Sequence, residues 1–199
     1  LALLSFDNNI GLNQTEILDQ TDYTNNFSIT TGSSISETEN VLLGERSVFL
    51  DRSTLESGVF EFSQFSIDGM TLEVYTYLDS ETFIDSSLFQ IQDDNDEIVI
   101  DITLTANGDI VFQPLDGPPI IFENSLTFDK WRHIAYVYHN NEHIIFYNGK
   151  IVGMITNIDL ENSTDISFKL GSSESQLLID EFRVSKTTRY IQEFSTLSS

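Results

Sequence analysis

The chain has 199 residues, 40% of them hydrophobic, with 15 Phe and 7 Tyr, a load that excludes a disordered chain and suffices for a core without covalent staples. Thirty-two acidic residues against nine basic ones give a formal charge of −23, which opposes binding to nucleic-acid phosphate or insertion at an anionic leaflet. The chain has no cysteine, which removes disulfides, thiol catalysis and Cys-held metals.

No run of about 18 apolar residues occurs, so no membrane-spanning helix is predicted. The opening Leu1 to Phe6 lacks a basic leader and an initiator Met, and reads as the first strand of a mature or excised segment. Residues 11–45 are polar and rich in turn formers, which predicts loops. From residue 46 the apolar spacing turns to period two. Short strands are predicted over Ser47–Leu50 and Val59–Phe62. Met70 to Leu78 alternates cleanly, placing Met70, Leu72, Val74, Thr76 and Leu78 on one face. Strands over Leu88–Ile91, Ile98–Leu104 and Ile110–Phe112 follow, separated by the turn clusters Asp93 to Asp96 and Asn107-Gly108-Asp109.

The last third is the most regular. Trp131–Tyr138, His143–Tyr147 and Ile151–Ile155 form a predicted meander, joined by Asn140-Asn141 and Asn148-Gly149. Ile166–Leu170 and Leu177–Val184 complete the set. Many short strands with almost no helical periodicity predict an all-β sandwich or barrel, with residues 1–190 as one domain and 191–199 as a polar C-terminal tail.

Three motifs carry possible chemistry. His139-Asn140-Asn141-Glu142-His143 matches an inverted zinc-protease pattern, H-x-x-E-H, which needs a helix to bring both histidines to one face. Its flanks are strand-like and its Asn-Asn centre is turn chemistry, so a hairpin is predicted. Glu97, Val99 and Asp101 share a strand face in the manner of sandwich-fold glucanases, but the middle carboxylate is missing, which leaves a degenerate glycoside hydrolase as a minor alternative. Asp93 to Asp96 lacks the glycine and the terminal glutamate of an EF-hand, so an acidic hairpin tip is predicted. No nucleophile elbow or phosphate loop is present.

Two stretches together resemble a known fold family. The first joins Trp131-Arg132-His133-Ile134-Ala135 to Asn148-Gly149. The second is Ile179-Asp180-Glu181-Phe182-Arg183-Val184-Ser185-Lys186, followed by Arg189-Tyr190 and Phe194. Leu4 to Asp7 and Ser47 to Asp51 fit its first strands. The resemblance is to the laminin-G-like, concanavalin A-like jelly roll, and it implies a two-sheet antiparallel sandwich. Its closing motif resembles modules of phage and marine bacterial surface proteins, which implies a virion-surface or extracellular setting. Such motifs specify fold more than function.

The resemblance also implies a structural Ca²⁺ held by a carbonyl near Phe6 or Asp7, by the Gly44 carbonyl and by Asp180. Asp180 lies among apolar neighbours, and a buried carboxylate needs a partner; a cation, Arg183 or backbone N–H groups would each serve. Arg183 is expected to pair with Glu181 or Glu73. The expected function is a non-catalytic adhesion or structural module that binds cell-surface glycan or other surface proteins and forms a homo-oligomer, with no nucleic-acid partner and no membrane insertion. The alternative is a decoration or oligomerisation domain without a glycan ligand. Tyr23, Phe27, Phe83 and Phe122 are the aromatics that a glycan could stack on, although each is read first as a core residue.

Overall fold

A computed structural model describes residues 2–4, 16–17, 27–29, 34–36, 42, 47–57, 59–61, 69–156, 158 and 165–196. The strands are β1 (Ala2–Leu4), β2 (Glu16–Ile17), β3 (Phe27–Ile29), β4 (Ser34–Ser36), β5 (Ser47–Ser57), β6 (Phe60–Glu61), β7 (Met70–Tyr77), β8 (Ser86–Gln92), β9 (Ile98–Leu104), β10 (Ile110–Pro114), β11 (Ile120–Phe122), β12 (Trp131–His139), β13 (Glu142–Tyr147), β14 (Lys150–Thr156) and β15 (Asp165–Ser185). Among the described residues every pairing is antiparallel. No helix there is long and apolar enough to cross a membrane. The fold is an all-β, jelly-roll-like sandwich: the residue pattern predicts an all-β sandwich or barrel, and the family resemblance implies the jelly roll.

β15 is the spine. Its first part, Ser167–Leu170, pairs with β8, and β9, β10 and β11 follow outward from β8. Its second part, Leu178–Ser185, pairs with β7, and β12, β13 and β14 follow outward from β7. β5 runs along the other side of β15 through both parts, with a register shift between Ser172 and Gln176. A strand that changes sheets needs such an irregularity at the corner. Gly171 stands there with φ +89°, and a Cβ on it would lie 2.8 Å from Leu50 Cδ1 and 2.9 Å from the Ser53 carbonyl. Opposite, Arg52 also takes a positive φ, 50°. The sequence pattern breaks here because Ser172 to Gln176 is polar; the pairing with β5 keeps the chain extended across the break.

The inward faces of the two sheets make one core. Leu72, Val74, Ile134 and Tyr136 come from one sheet, and Phe89, Ile100, Phe112 and Phe168 from the other, all buried. Met70, Leu72, Val74, Thr76 and Leu78 are buried as predicted, and so are Thr71 and Glu73 on the opposite face. Phe83 packs on Phe128, and Phe122 is seated over Gly153, where a Cβ would come within 2.3 Å of its ring. These two aromatics belong to the core and its edge. Phe27 lies in β3 and Tyr23 outside the described residues.

His139 and His143 flank the turn of the β12–β13 hairpin, and Asn140 and Asn141 both have positive φ. His143 is buried; its Nε2–H donates to the Ile158 carbonyl (2.8 Å) and its Nδ1 accepts from the Tyr136 hydroxyl (2.8 Å). Burial lowers its pKa and keeps it neutral. His139 instead meets Thr188 Oγ1. The two histidines thus take separate partners, and the hairpin predicted for this motif is present.

A different departure from simple alternation positions the candidate site. β12 and β13 are buried on both faces. Ala135, Val137, Ile144 and Phe146 face away from the main core and form a second apolar cluster with Ile151, Tyr190 and Phe194. The segment after β15 thus lies back over the outer face of its own sheet. Phe194, in the stretch expected to be a polar tail, is half-buried there.

Candidate functional site

The outer face of β7, β12 and β15 carries Glu73 at its centre. Cross-strand register sets Ala135 beside Glu73 on one side and Arg183 on the other. His133, two residues before Ala135, lies on the diagonal, within reach of a long side chain. The segment that follows β15 then adds Arg189 and Tyr190. Glu73 is only 5% exposed. Its Oε2 accepts from His133 Nε2 (3.1 Å) and from the Tyr190 hydroxyl (2.9 Å). Its Oε1 meets the Nη1 of Arg189 and, at 3.6 Å, the Nη1 of Arg183. A carboxylate has about four lone-pair positions; three hydrogen bonds and the Arg183 ion pair surround this one.

Burial by itself raises the Glu73 carboxyl; the His133 hydrogen bond and the charges of Arg189 and His133 outweigh it, so Glu73 titrates below its ordinary 4.5. Tyr190 is pushed up to about 12, first by burial and then by the Glu73 charge. It therefore stays a hydroxyl donor at neutral pH.

The covering segment is fixed at further points. Arg189 N–H donates to Thr71 Oγ1 (3.0 Å), and Phe194 N–H to the Gly149 carbonyl (2.9 Å). Gly149 has φ +76°, and a Cβ on it would sit 2.0 Å from the Phe194 carbonyl. Only glycine lets the segment come this close. The Tyr190 and Phe194 rings stack at 3.7 Å with 10° between planes. The His133 ring lies edge-on to Tyr75, Tyr190 and Phe194.

Between these groups opens a cleft of about 460 Å³, lined by Glu73 and Tyr75 from β7, His133 from β12, Arg183 from β15, and Arg189 and Tyr190 from the covering segment. The volume lies within the roughly 300–1,000 Å³ usual for small-ligand sites. Glu181, Phe194, Ser195 and Thr196 complete the rim. Glu73 is ringed by donors, and His133 Nδ1 makes no hydrogen bond.

The other sequence candidates lie elsewhere. Asp101 accepts from Ser87 Oγ (2.6 Å), Gln90 Nε2 (3.3 Å) and Thr103 Oγ1 (3.4 Å), while Glu97 is exposed at the strand start. Asp93 binds the backbone of its own turn through Asn95 N and Glu97 N, both at 2.9 Å. Asp180 is 1% exposed; its oxygens accept from Glu181 N (2.9 Å) and Leu42 N (3.2 Å). Asp7 and Gly44 lie outside the described residues, among which no group of three or more His, Cys, Asp or Glu is placed to hold a metal. Sequence reasoning anticipated the Arg183–Glu73 contact but missed the cleft, Tyr75 and the role of His133. Glu73 as the lone acid in an apolar strand was the available signal.

No protein-family model matches the chain, and no curated protein sequence does. Solved structures do. The binding domain of botulinum neurotoxin serotype D/C gives a TM-score of 0.67 at 14% identity, covering 95% of this chain and 49% of that one. Botulinum neurotoxin type C, whose cell entry depends on interaction with two ganglioside molecules, gives 0.62 at 14%, covering 96% and 48%. The sialidase of Trypanosoma rangeli gives 0.70 at 12%, covering 95% and 30%. This chain therefore spans about half the length of the toxin structures and under a third of the sialidase. At such identities the likeness is one of fold.

Glu73→Ala should destabilise the domain by about 3 kcal/mol, because it leaves two guanidinium groups and a buried imidazole without their anion. For this chain length that is a Tm drop of roughly 6–12 °C. The Glu73 contribution is fully present above its ordinary pKa of 4.5 and is lost as pH falls through the lower folded-state value. Thermal melts between neutral pH and pH 3 check both: the variant should have the smaller acid loss, and equal Tm values at neutral pH would refute the assignment.

Proposed function

We propose that this domain is a non-catalytic module of a virion or cell surface and that it binds glycan in the cleft beside Glu73. The observation that carries this reading is the lining itself: aromatic rings stand next to guanidinium and hydroxyl donors, around a carboxylate already occupied by its neighbours. Sugars are bound by such pairings, with C–H faces on rings and hydroxyls on fixed polar groups. The toxin structure that interacts with gangliosides supports the reading by fold. The surface setting and other surface proteins as partners rest on the resemblance of the closing motif. Oligomerisation without a glycan ligand is the rival, and it needs an apolar patch of several hundred Å².

A glycan array with the intact domain tests the reading. Saturable binding to one glycan class is expected, lost in Ser195→Trp, which fills the rim at an exposed position away from Glu73, with an unchanged Tm. Binding that survives this substitution would place the ligand elsewhere, and an empty array would favour the oligomerisation rival. No turnover of sialyl or β-glucan substrates is expected; hydrolysis abolished by Glu73→Gln would make the domain an enzyme.

We further propose one structural Ca²⁺ on Asp180, completed by carbonyls near Asp7 and Gly44. The buried carboxylate already meets the backbone at Leu42, two residues from Gly44, and hard oxygen donors suit this cation. Calcium at 100-fold above its Kd would then stabilise the domain by about 2.7 kcal/mol. A calcium-dependent rise in Tm, absent in Asp180→Asn, is expected; identical melts in calcium and chelator would exclude the ion.

A further inference from the structure

We infer that the cleft selects glycans that carry a carboxylate, such as a uronic or nonulosonic acid residue; this rests on the glycan-binding reading above. The argument begins with where charge is visible. The chain holds 32 acids and five arginines, yet two of those arginines line this one cleft and only two acids do. The acid at its centre is hidden: the Glu73 side chain keeps 7% of its surface in solvent, whereas Arg183 and Arg189 keep 29% and 30%. A ligand entering the cleft therefore meets cationic edges before it meets the anion beneath them.

Those edges are pre-set. Each guanidinium touches Glu73 through Nη1 alone, and an arginine carries five N–H donors in a planar fork. One corner of each fork lies against Glu73, which leaves the other donors available to a ligand carboxylate. Arg189 also lies over the Tyr190 ring, 5.3 Å from its centroid. That contact holds its fork against the aromatic wall of the cleft. On a protein of charge −23, long-range attraction cannot draw in an anion, so recognition must come from contact at short range. A neighbouring pair of guanidinium forks provides that contact.

The visible acid at the rim, Glu181, opposes the ligand and makes the inference sharper to test. Titration calorimetry of the intact domain would compare sialyllactose, oligogalacturonate and, as the neutral probe, lactose. At least one acidic probe should bind about 10-fold or more tightly than lactose, about 1.4 kcal/mol. Arg183→Gln should remove that preference, and Glu181→Gln should strengthen the acidic probe severalfold while leaving lactose unchanged. Which acidic probe wins separates the two sugar classes. Equal affinity for acidic and neutral probes, or a preference that survives Arg183→Gln, would overturn the carboxylate inference and leave glycan binding standing. No binding to any of the three, together with an empty array, would overturn both.

Discussion

The outer half of this structure depends on one buried anion. Glu73 sits on the solvent side of a sheet, a place where a strand ordinarily shows polar groups to water, and yet it is 5% exposed. Removing a carboxylate from water costs several kcal/mol unless donors replace the lost hydration. Here they come from three directions in sequence: His133 from β12, Arg183 from β15, and Arg189 with Tyr190 from the segment beyond it. The charge cannot be satisfied unless that segment lies down on the sheet.

Laying it down solves a second problem. Ala135, Val137, Ile144 and Phe146 would otherwise expose apolar surface on the face opposite the main core, and Tyr190 and Phe194 cover them. Burying side chains of this size stabilises by about 1.5–3 kcal/mol each. The electrostatic hub and the apolar cover are therefore coupled: Glu73 positions the rings, and the rings exclude water from Glu73. The cleft is what remains uncovered at the edge of this arrangement, which is why its wall combines cationic edges with aromatic faces.

Much of the fold was legible in the residues. The strict alternation of Met70 to Leu78 located β7, and Asn148-Gly149 and Asn140-Asn141 located two hairpins, because left-handed backbone demands those residue types. The corner in β15 was not legible. Its polar bridge Ser172 to Gln176 looks like a turn, and only pairing with β5, more than a hundred residues away, holds it extended. The site was legible in part. Arg183 needed a carboxylate and Glu73 was one of two available. The stacking of Tyr190 on Phe194 was hidden because the segment has no regular period, and its partners Glu73, Gly149 and Phe146 are distant in sequence.

The account stands on Glu73 holding the covering segment in place. Amide hydrogen exchange read at Arg189 and Phe194, in the native chain and in Glu73→Gln, measures this most directly, since both N–H groups bond the sheet beneath them, at Thr71 and Gly149. Glutamine keeps the shape and removes the charge. Exchange at both amides should rise by about 10-fold or more, while the central amides of β12 stay protected. Unchanged protection at Arg189 and Phe194 would show that the segment is held by its rings alone and would contradict the account.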